Sequence, residues 1–167
     1  MTRRLVLIRH AKAVDGNVDR DRPLTARGRR DAGAVGRWLA RSGIAIDRVL
    51  VSPALRARET WEAAAAELPG AGSAEVDDRI YDNEADSLLA VLHDLPAAVQ
   101  VVALVGHNPS VELLANYLDD GEGDPDSREQ LADGYSTSGI AVFEVPGRWA
   151  DIREHAATLT SFAAPRG

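Results

Sequence analysis

The chain has 167 residues, a formal net charge of −7 and no cysteine. Its length suits one domain with a sizeable core, so we predict a single domain over 1–167. Without cysteine there is no disulfide, no thiolate nucleophile and no cysteine-ligated metal. The acidic balance argues against nucleic-acid binding, which rests on cation–phosphate contacts. No apolar run is long enough for a membrane span or a signal-peptide core, so we expect a cytoplasmic protein without membrane contact.

The first half of the chain alternates aliphatic runs with helical periodicity. Residues 5–8 form a continuous aliphatic run, typical of a strand covered on both faces. A helix is predicted from Pro23 to about Ser42, and Arg48–Val51 is predicted as the second strand. Ser52-Pro53 follows as an N-cap serine and first-turn proline of a helix to about 68.

The second half repeats this alternation and then changes character. A short strand is predicted near 74–76, a helix over 85–95 and a strong strand over 100–105, after which Asn108-Pro109 begins a helix to about 118. The acidic, glycine-rich segment 121–134 is expected to be a solvated loop, with a lid or docking loop as the alternative. Residues 137–145 and 158–162 are predicted strands, the first as a candidate antiparallel strand and the second at an edge.

Alternating strands and helices predict an α/β fold. We expect a single-domain three-layer sandwich with a mainly parallel sheet, helices on both faces and an antiparallel edge strand. In such sheets, ligands bind beyond the carboxyl ends of the strands.

Three predicted strand ends carry unusual chemistry. The first is followed by Arg9-His10, the second by Ser52-Pro53 and then Arg56, and the third by Gly106-His107. Two arginines near the imidazoles would repel a metal dication, so metal binding is disfavoured and no cofactor is expected. Guanidinium groups instead suit phosphate, whose oxygens accept forked N–H bonds. A neutral histidine beside them can attack phosphorus and form a covalent phosphohistidine.

The motifs that carry these residues resemble a known family. RHA after the first strand, RPLTARGRRDA after the first loop, SPALRARET after the second strand and VGHNP after the third are similar to the histidine phosphatase (phosphoglycerate-mutase-like) superfamily. The compact length resembles the SixA phosphohistidine phosphatase branch. The resemblance implies that His10 is the phosphate-accepting nucleophile, that Arg9 and Arg56 bind phosphate, and that His107 is the second imidazole on the phosphoryl oxygens.

The chain departs from the family pattern at two places. The usual RHG is RHA here, and the stretch in which many members carry a glutamate general acid reads RIYDNEADS. Asp82 is the candidate acid, with Glu84 behind it, although a loop or capping role suits Asp82 at least as well. A phosphoramidate P–N bond has an easily protonated leaving group, so a strong acid is less necessary for phosphohistidine than for an alkyl ester.

The expected function is removal of a phosphoryl group from phosphohistidine on a signalling protein, through phosphorylated His10. The alternative enzyme is a phosphomonoesterase for a small phosphorylated metabolite; a mutase is disfavoured because the chain has little extra length for a second substrate pocket. A non-catalytic phosphate-binding regulatory module is the alternative from another class.

Overall fold

The computed structural model describes residues 2–167, which form a six-stranded sheet with five α-helices. The strands are β1 (Thr2–Arg9), β2 (Arg48–Val51), β3 (Glu75–Val76), β4 (Val101–Gly106), β5 (Ile140–Pro146) and β6 (Thr158–Ala163). The helices are α1 (Ala26–Ser42), α2 (Leu55–Ala66), α3 (Ala85–His93), α4 (Ser110–Leu118) and α5 (Pro125–Ala132).

The strand order is β3-β2-β4-β1-β5-β6. The pairs β3–β2, β2–β4 and β4–β1 are parallel, whereas β5 runs antiparallel to both β1 and β6. The predicted α/β fold with a mainly parallel sheet is therefore confirmed. The predicted antiparallel edge strand is also present: β6 forms one edge and pairs antiparallel with β5, which is one position in from that edge.

Two apolar clusters cover the two faces of the sheet. Leu5 and Leu7 of β1 point into the cluster with α3, α4 and α5, while Val6 and Ile8 point into the cluster with α1 and α2. All four side chains are fully buried, as the alternation of a strand with both faces covered requires. Helices on both faces give the predicted three layers. No helix within residues 2–167 has the length and apolarity that a membrane span requires.

Three local predictions were wrong. Helix α2 begins at Leu55 with Ala54 as its N-cap, because the Ser52 side chain is used in the site described below. Helix α4 begins at Ser110 with Pro109 as its N-cap residue, and Asn108 makes no side-chain cap to that helix. The acidic segment 121–134 contains α5, whose first turn is capped by the carboxylate of Asp124 bonded to the Ser127 N–H at 2.9 Å.

Candidate active site

The register of the central strands places two imidazoles side by side. In the parallel pairing of β1 with β4, Arg9 lies opposite Gly106, so His10 and His107 directly follow the ends of two adjacent strands. Their ring centroids are 5.1 Å apart. Ser52 directly follows β2 on the other side of β4. The carboxyl ends of β1, β2 and β4 therefore converge on one site, as their sequence predicts.

His10 is held in one tautomer by the backbone of the next residue. Its Nδ1 lies 2.7 Å from the carbonyl oxygen of Ala11. Because a carbonyl oxygen only accepts, Nδ1 carries the proton and Nε2 keeps its lone pair. Burial, together with the charges of Arg56 and Arg9, lowers the pKa of His10 to about 4. The ring is therefore neutral near pH 7, with a nucleophilic nitrogen available.

His107 is anchored from the opposite side by Ser52. Its Nε2 lies 2.7 Å from Ser52 Oγ, and the Ala54 N–H donates to that oxygen at 3.2 Å. The Nδ1 atom is buried and makes no hydrogen bond within residues 2–167. Burial, together with the charges of His10 and Arg56, lowers the pKa of His107 to about 3. A buried, unpartnered nitrogen beside His10 can serve an oxygen of a bound anion.

Arg56 lies in the first turn of α2, and its side chain is only 8% exposed. Its guanidinium donates to the backbone carbonyl of Asp19 at 2.8 Å and to Oδ2 of the Asp19 carboxylate at 3.1 Å. The same Oδ2 accepts from the Tyr81 hydroxyl at 2.6 Å, and Oδ1 accepts from Arg22 at 3.0 Å. These contacts hold the pKa of Asp19 well below its usual range, and the hydrogen bond from Tyr81 makes the largest contribution.

Arg9 approaches from the side of β5. Its Nη1 donates to the carbonyl of Tyr135 at 2.8 Å, while its Nε is buried and makes no hydrogen bond in the part of the chain that the structure describes. Burial lowers the pKa of the guanidinium, and the carboxylate of Glu112 opposes this shift. Together with Arg56, Arg9 gives the imidazole pair a strongly cationic surrounding.

The motif on α2 also builds the support of the nucleophile. Thr60 lies one turn after Arg56, donates to the Arg56 carbonyl at 2.7 Å and accepts from the Ala11 N–H at 2.9 Å. The Glu59 carboxylate accepts from the Leu24 N–H at 2.8 Å and so links the segment just before α1 to α2. Four side chains of SPALRARET, those of Ser52, Arg56, Glu59 and Thr60, thus have a definite contact in or beside the site.

Asp82 and Glu84 lie further out. Asp82 ends a short 3-10 helix, is exposed, and accepts from the Ser87 hydroxyl at 3.2 Å. Glu84 is also exposed, at the N-cap position of α3. The hydrogen bonds found in residues 2–167 join Tyr81, the neighbour of Asp82, to the site, and none joins Asp82 to it. The same described range contains no group of three or more histidine, aspartate or glutamate side chains arranged to hold a metal.

Three site residues were missed by reasoning from the sequence. Asp19 and Tyr81 lie in short 3-10 helices and Arg22 directly follows one of them, where no periodicity marks these residues. Ser52 was singled out, but as a helix cap. The helical spacing of Thr60 from Arg56 would have placed both side chains on one face of α2.

The comparisons with known proteins agree with this geometry. The model of the histidine phosphatase superfamily (branch 1) matches residues 5–88. An uncharacterised protein of Mycobacterium tuberculosis is 37% identical over 162 residues, which cover 95% of this chain and all of the relative. The chain therefore belongs to the histidine phosphatase superfamily.

Solved structures place it more closely within that family. A protein assigned as phosphohistidine phosphatase SixA from Nakamurella multipartitia superposes with a TM-score of 0.84 at 31% identity, covering 99% of this chain and 97% of the other. The protein histidine phosphatase SixA complexed with tungstate gives a TM-score of 0.78 at 29% identity, covering 97% of each chain. The predicted SixA-like branch and the predicted phosphatase class are confirmed.

Proposed function

We propose that this chain hydrolyses phosphohistidine on a signalling protein through phosphorylation of His10. The observation that carries the proposal is the bond from His10 Nδ1 to the Ala11 carbonyl, which leaves Nε2 with its lone pair in a ring that is neutral near pH 7. A neutral imidazole among guanidinium groups has the properties of a nucleophile toward a phosphoryl group.

The reaction takes two steps. Nε2 of His10 forms a bond to phosphorus while the P–N bond of the substrate breaks, and the leaving imidazole nitrogen keeps the electron pair and takes up a proton from the solvent. Water then attacks phosphorus and gives one proton back to the solvent, the bond to His10 breaks with its electron pair returning to Nε2, and inorganic phosphate leaves. The protein supplies positioning and charge stabilisation to both steps.

In this proposal, Arg9, Arg56 and His107 hold the non-bridging phosphoryl oxygens. Support for His107 comes from its buried Nδ1, which makes no hydrogen bond within residues 2–167. Ser52 accepts from a backbone N–H, so its own hydroxyl proton is free to go to Nε2 of His107. That arrangement puts the ring proton on Nδ1, where it can donate to a phosphoryl oxygen.

A protein substrate is favoured because the SixA structures that this chain resembles are named as phosphohistidine or protein histidine phosphatases. We also propose that residues 1–167 act as one catalytic domain, because all six strands belong to one sheet. A small phosphorylated metabolite is the alternative substrate.

The test is phosphate release from a histidine-phosphorylated protein and from a panel of small phosphomonoesters. The variants are His10→Ala and, as a matched control, His155→Ala. His155 is exposed, and its ring is hydrogen-bonded to the Asp119 carbonyl and not to a site residue. We expect release from the protein, loss of turnover only in His10→Ala, and an acid-labile phosphoprotein intermediate in the wild type. Release only from the monoesters would favour the metabolite phosphatase, and oxyanion binding without release would favour the regulatory module.

Asp82 remains the proposed proton donor for substrates with poor leaving groups. If it acts as the acid, Asp82→Asn lowers turnover of an alkyl phosphate by roughly a hundredfold or more, while phosphohistidine hydrolysis changes far less. Equal rates for wild type and variant on the alkyl ester would exclude this role. Glu84→Gln is the matched variant on the neighbouring exposed carboxylate.

A further inference from the structure

A carboxylate of the chain itself, that of Asp19, is paired with Arg56. We propose that Asp19 is a positioning residue that holds Arg56 in the free enzyme and is displaced by the incoming phosphoryl group. Asp19 thereby sets the affinity of the site for phosphate. This inference rests on the proposed function, in which Arg56 binds phosphoryl oxygens.

The contacts of Asp19 are those that a bound anion would make. Its Oδ2 accepts from Arg56 at 3.1 Å and from the Tyr81 hydroxyl at 2.6 Å, while Oδ1 accepts from Arg22 at 3.0 Å. The backbone carbonyl takes a further bond from Arg56 at 2.8 Å. The N–H groups that Arg56 directs at Asp19 are therefore unavailable to a phosphoryl oxygen until this contact breaks.

The difference in burial decides which partner moves. The Arg56 side chain is 8% exposed on α2, whereas the Asp19 side chain is 51% exposed. Asp19 lies in a three-residue 3-10 helix, Asp19–Asp21, none of whose residues is buried. Moving Asp19 outward returns a carboxylate to water, while moving Arg56 would leave a buried cation without a partner. Displacement therefore takes the acid away and leaves the guanidinium in place.

Charge favours phosphate over the carboxylate once substrate arrives. A phosphate monoester or phosphoramidate at neutral pH carries close to two negative charges, and Asp19 carries one. The dianion also offers three oxygens to the surrounding donors, so it can replace both the carboxylate and the carbonyl as acceptors for Arg56. The measured phosphate affinity is then the intrinsic affinity reduced by competition with Asp19.

The experiment compares oxyanion binding by wild type, Asp19→Asn and Asp21→Asn. Asparagine removes the competing charge at nearly constant shape. Asp21 is the matched control, because it lies in the same exposed turn and its side chain makes no hydrogen bond within residues 2–167. Isothermal titration calorimetry measures the Kd for inorganic phosphate and for tungstate. Steady-state kinetics then give KM and the phosphate inhibition constant.

We expect Asp19→Asn to bind both oxyanions roughly tenfold more tightly, which is the effect of removing one competing ion pair, and Asp21→Asn to change Kd less than about twofold. KM and the inhibition constant should fall with Kd, a result that simple loss of structure would not produce. Thermal unfolding of each variant checks the fold, and Asp19→Ala is the second variant.

The outcomes separate this inference from the proposed function. If wild type binds the oxyanions and both Asp19 variants bind them equally well or more weakly, Asp19 does not compete with phosphate. The phosphate site itself would then still stand. Failure of every protein, wild type included, to bind either oxyanion would overturn the phosphate site and the role of Asp19 with it.

Discussion

The two buried imidazoles should make the protein lose stability as the pH falls below about 6.5. Burial holds the pKa of His10 at about 4 and that of His107 at about 3 in the folded protein. In the unfolded chain both rings titrate near about 6.5. Between these values the unfolded state binds more protons than the native state, so the free energy of unfolding falls as the solution is acidified.

The size of the effect follows from the pKa difference. From pH 7.5 to pH 5, protonation of one free imidazole stabilises the unfolded state by about 2 kcal/mol, and a native ring with a pKa of about 4 gains almost nothing. The two rings together therefore remove about 4 kcal/mol of stability. The carboxylates whose pKa values are lowered in the fold, such as Asp19 and Asp77, lose their stabilising contribution only at lower pH.

Urea unfolding at pH 7.5, 6.5, 5.5 and 5.0 measures this dependence. The His10→Asn variant removes one titrating group and keeps an amide donor for the Ala11 carbonyl. Its free energy of unfolding should fall by about 2 kcal/mol less than that of wild type over the same interval. The comparison cancels every other titrating group. Parallel pH profiles for the two proteins would show that His10 has the same pKa in the folded and unfolded states, and the conclusion that burial lowers its pKa would be wrong.

Substitutions that remove single supports of the site give further expectations. Ser52→Ala takes away the hydroxyl that faces His107 and should lower the rate of phosphate release by roughly tenfold to a hundredfold. It should also cost about 1–3 kcal/mol in urea unfolding, because the buried Ala54 N–H loses its acceptor. Thr60→Val leaves the backbone N–H that follows the nucleophile without its acceptor and should cost about 1–3 kcal/mol in urea unfolding. Gly28→Ala should cost about 1–3 kcal/mol because its methyl group would overlap a backbone carbonyl, whereas Gly33→Ala, which meets only flexible side chains, should be neutral or stabilising in the same measurement.

The elements that position the site could be predicted from the sequence because their signals are local. Continuous aliphatic runs marked β1, β2 and β4, and Arg48–Val51 has the bounds that the structure shows. The predicted strand ends then carried Arg9, His10, Arg56 and His107 to one edge, since carboxyl ends of parallel strands share an edge. The family resemblance added their chemical roles, which burial and contacts support without testing them.

The features that escaped prediction depend on tertiary contacts. Ser52 has the sequence context of a helix cap, but its hydroxyl is used by His107, a partner 55 residues away. Helix α5 is short and polar, and its pattern alone does not distinguish it from a loop. Asp19 and Tyr81 are 62 residues apart in two short 3-10 helices, and only the folded chain brings them together.

The convergence of the site is a consequence of strand register more than of any one motif. Arg9 is paired with Gly106, so His10 and His107 each lie one residue beyond that pair. Val51 is paired with Val105, so Ser52 lies one residue beyond the end of that pairing. A shift of one residue between β1 and β4 would reverse the faces of all paired side chains. It would also bring Leu5 and Leu7 out of the cluster that they share with α4. The burial pattern that stabilises the sheet therefore also excludes the one-residue shifts that would move the two imidazoles apart.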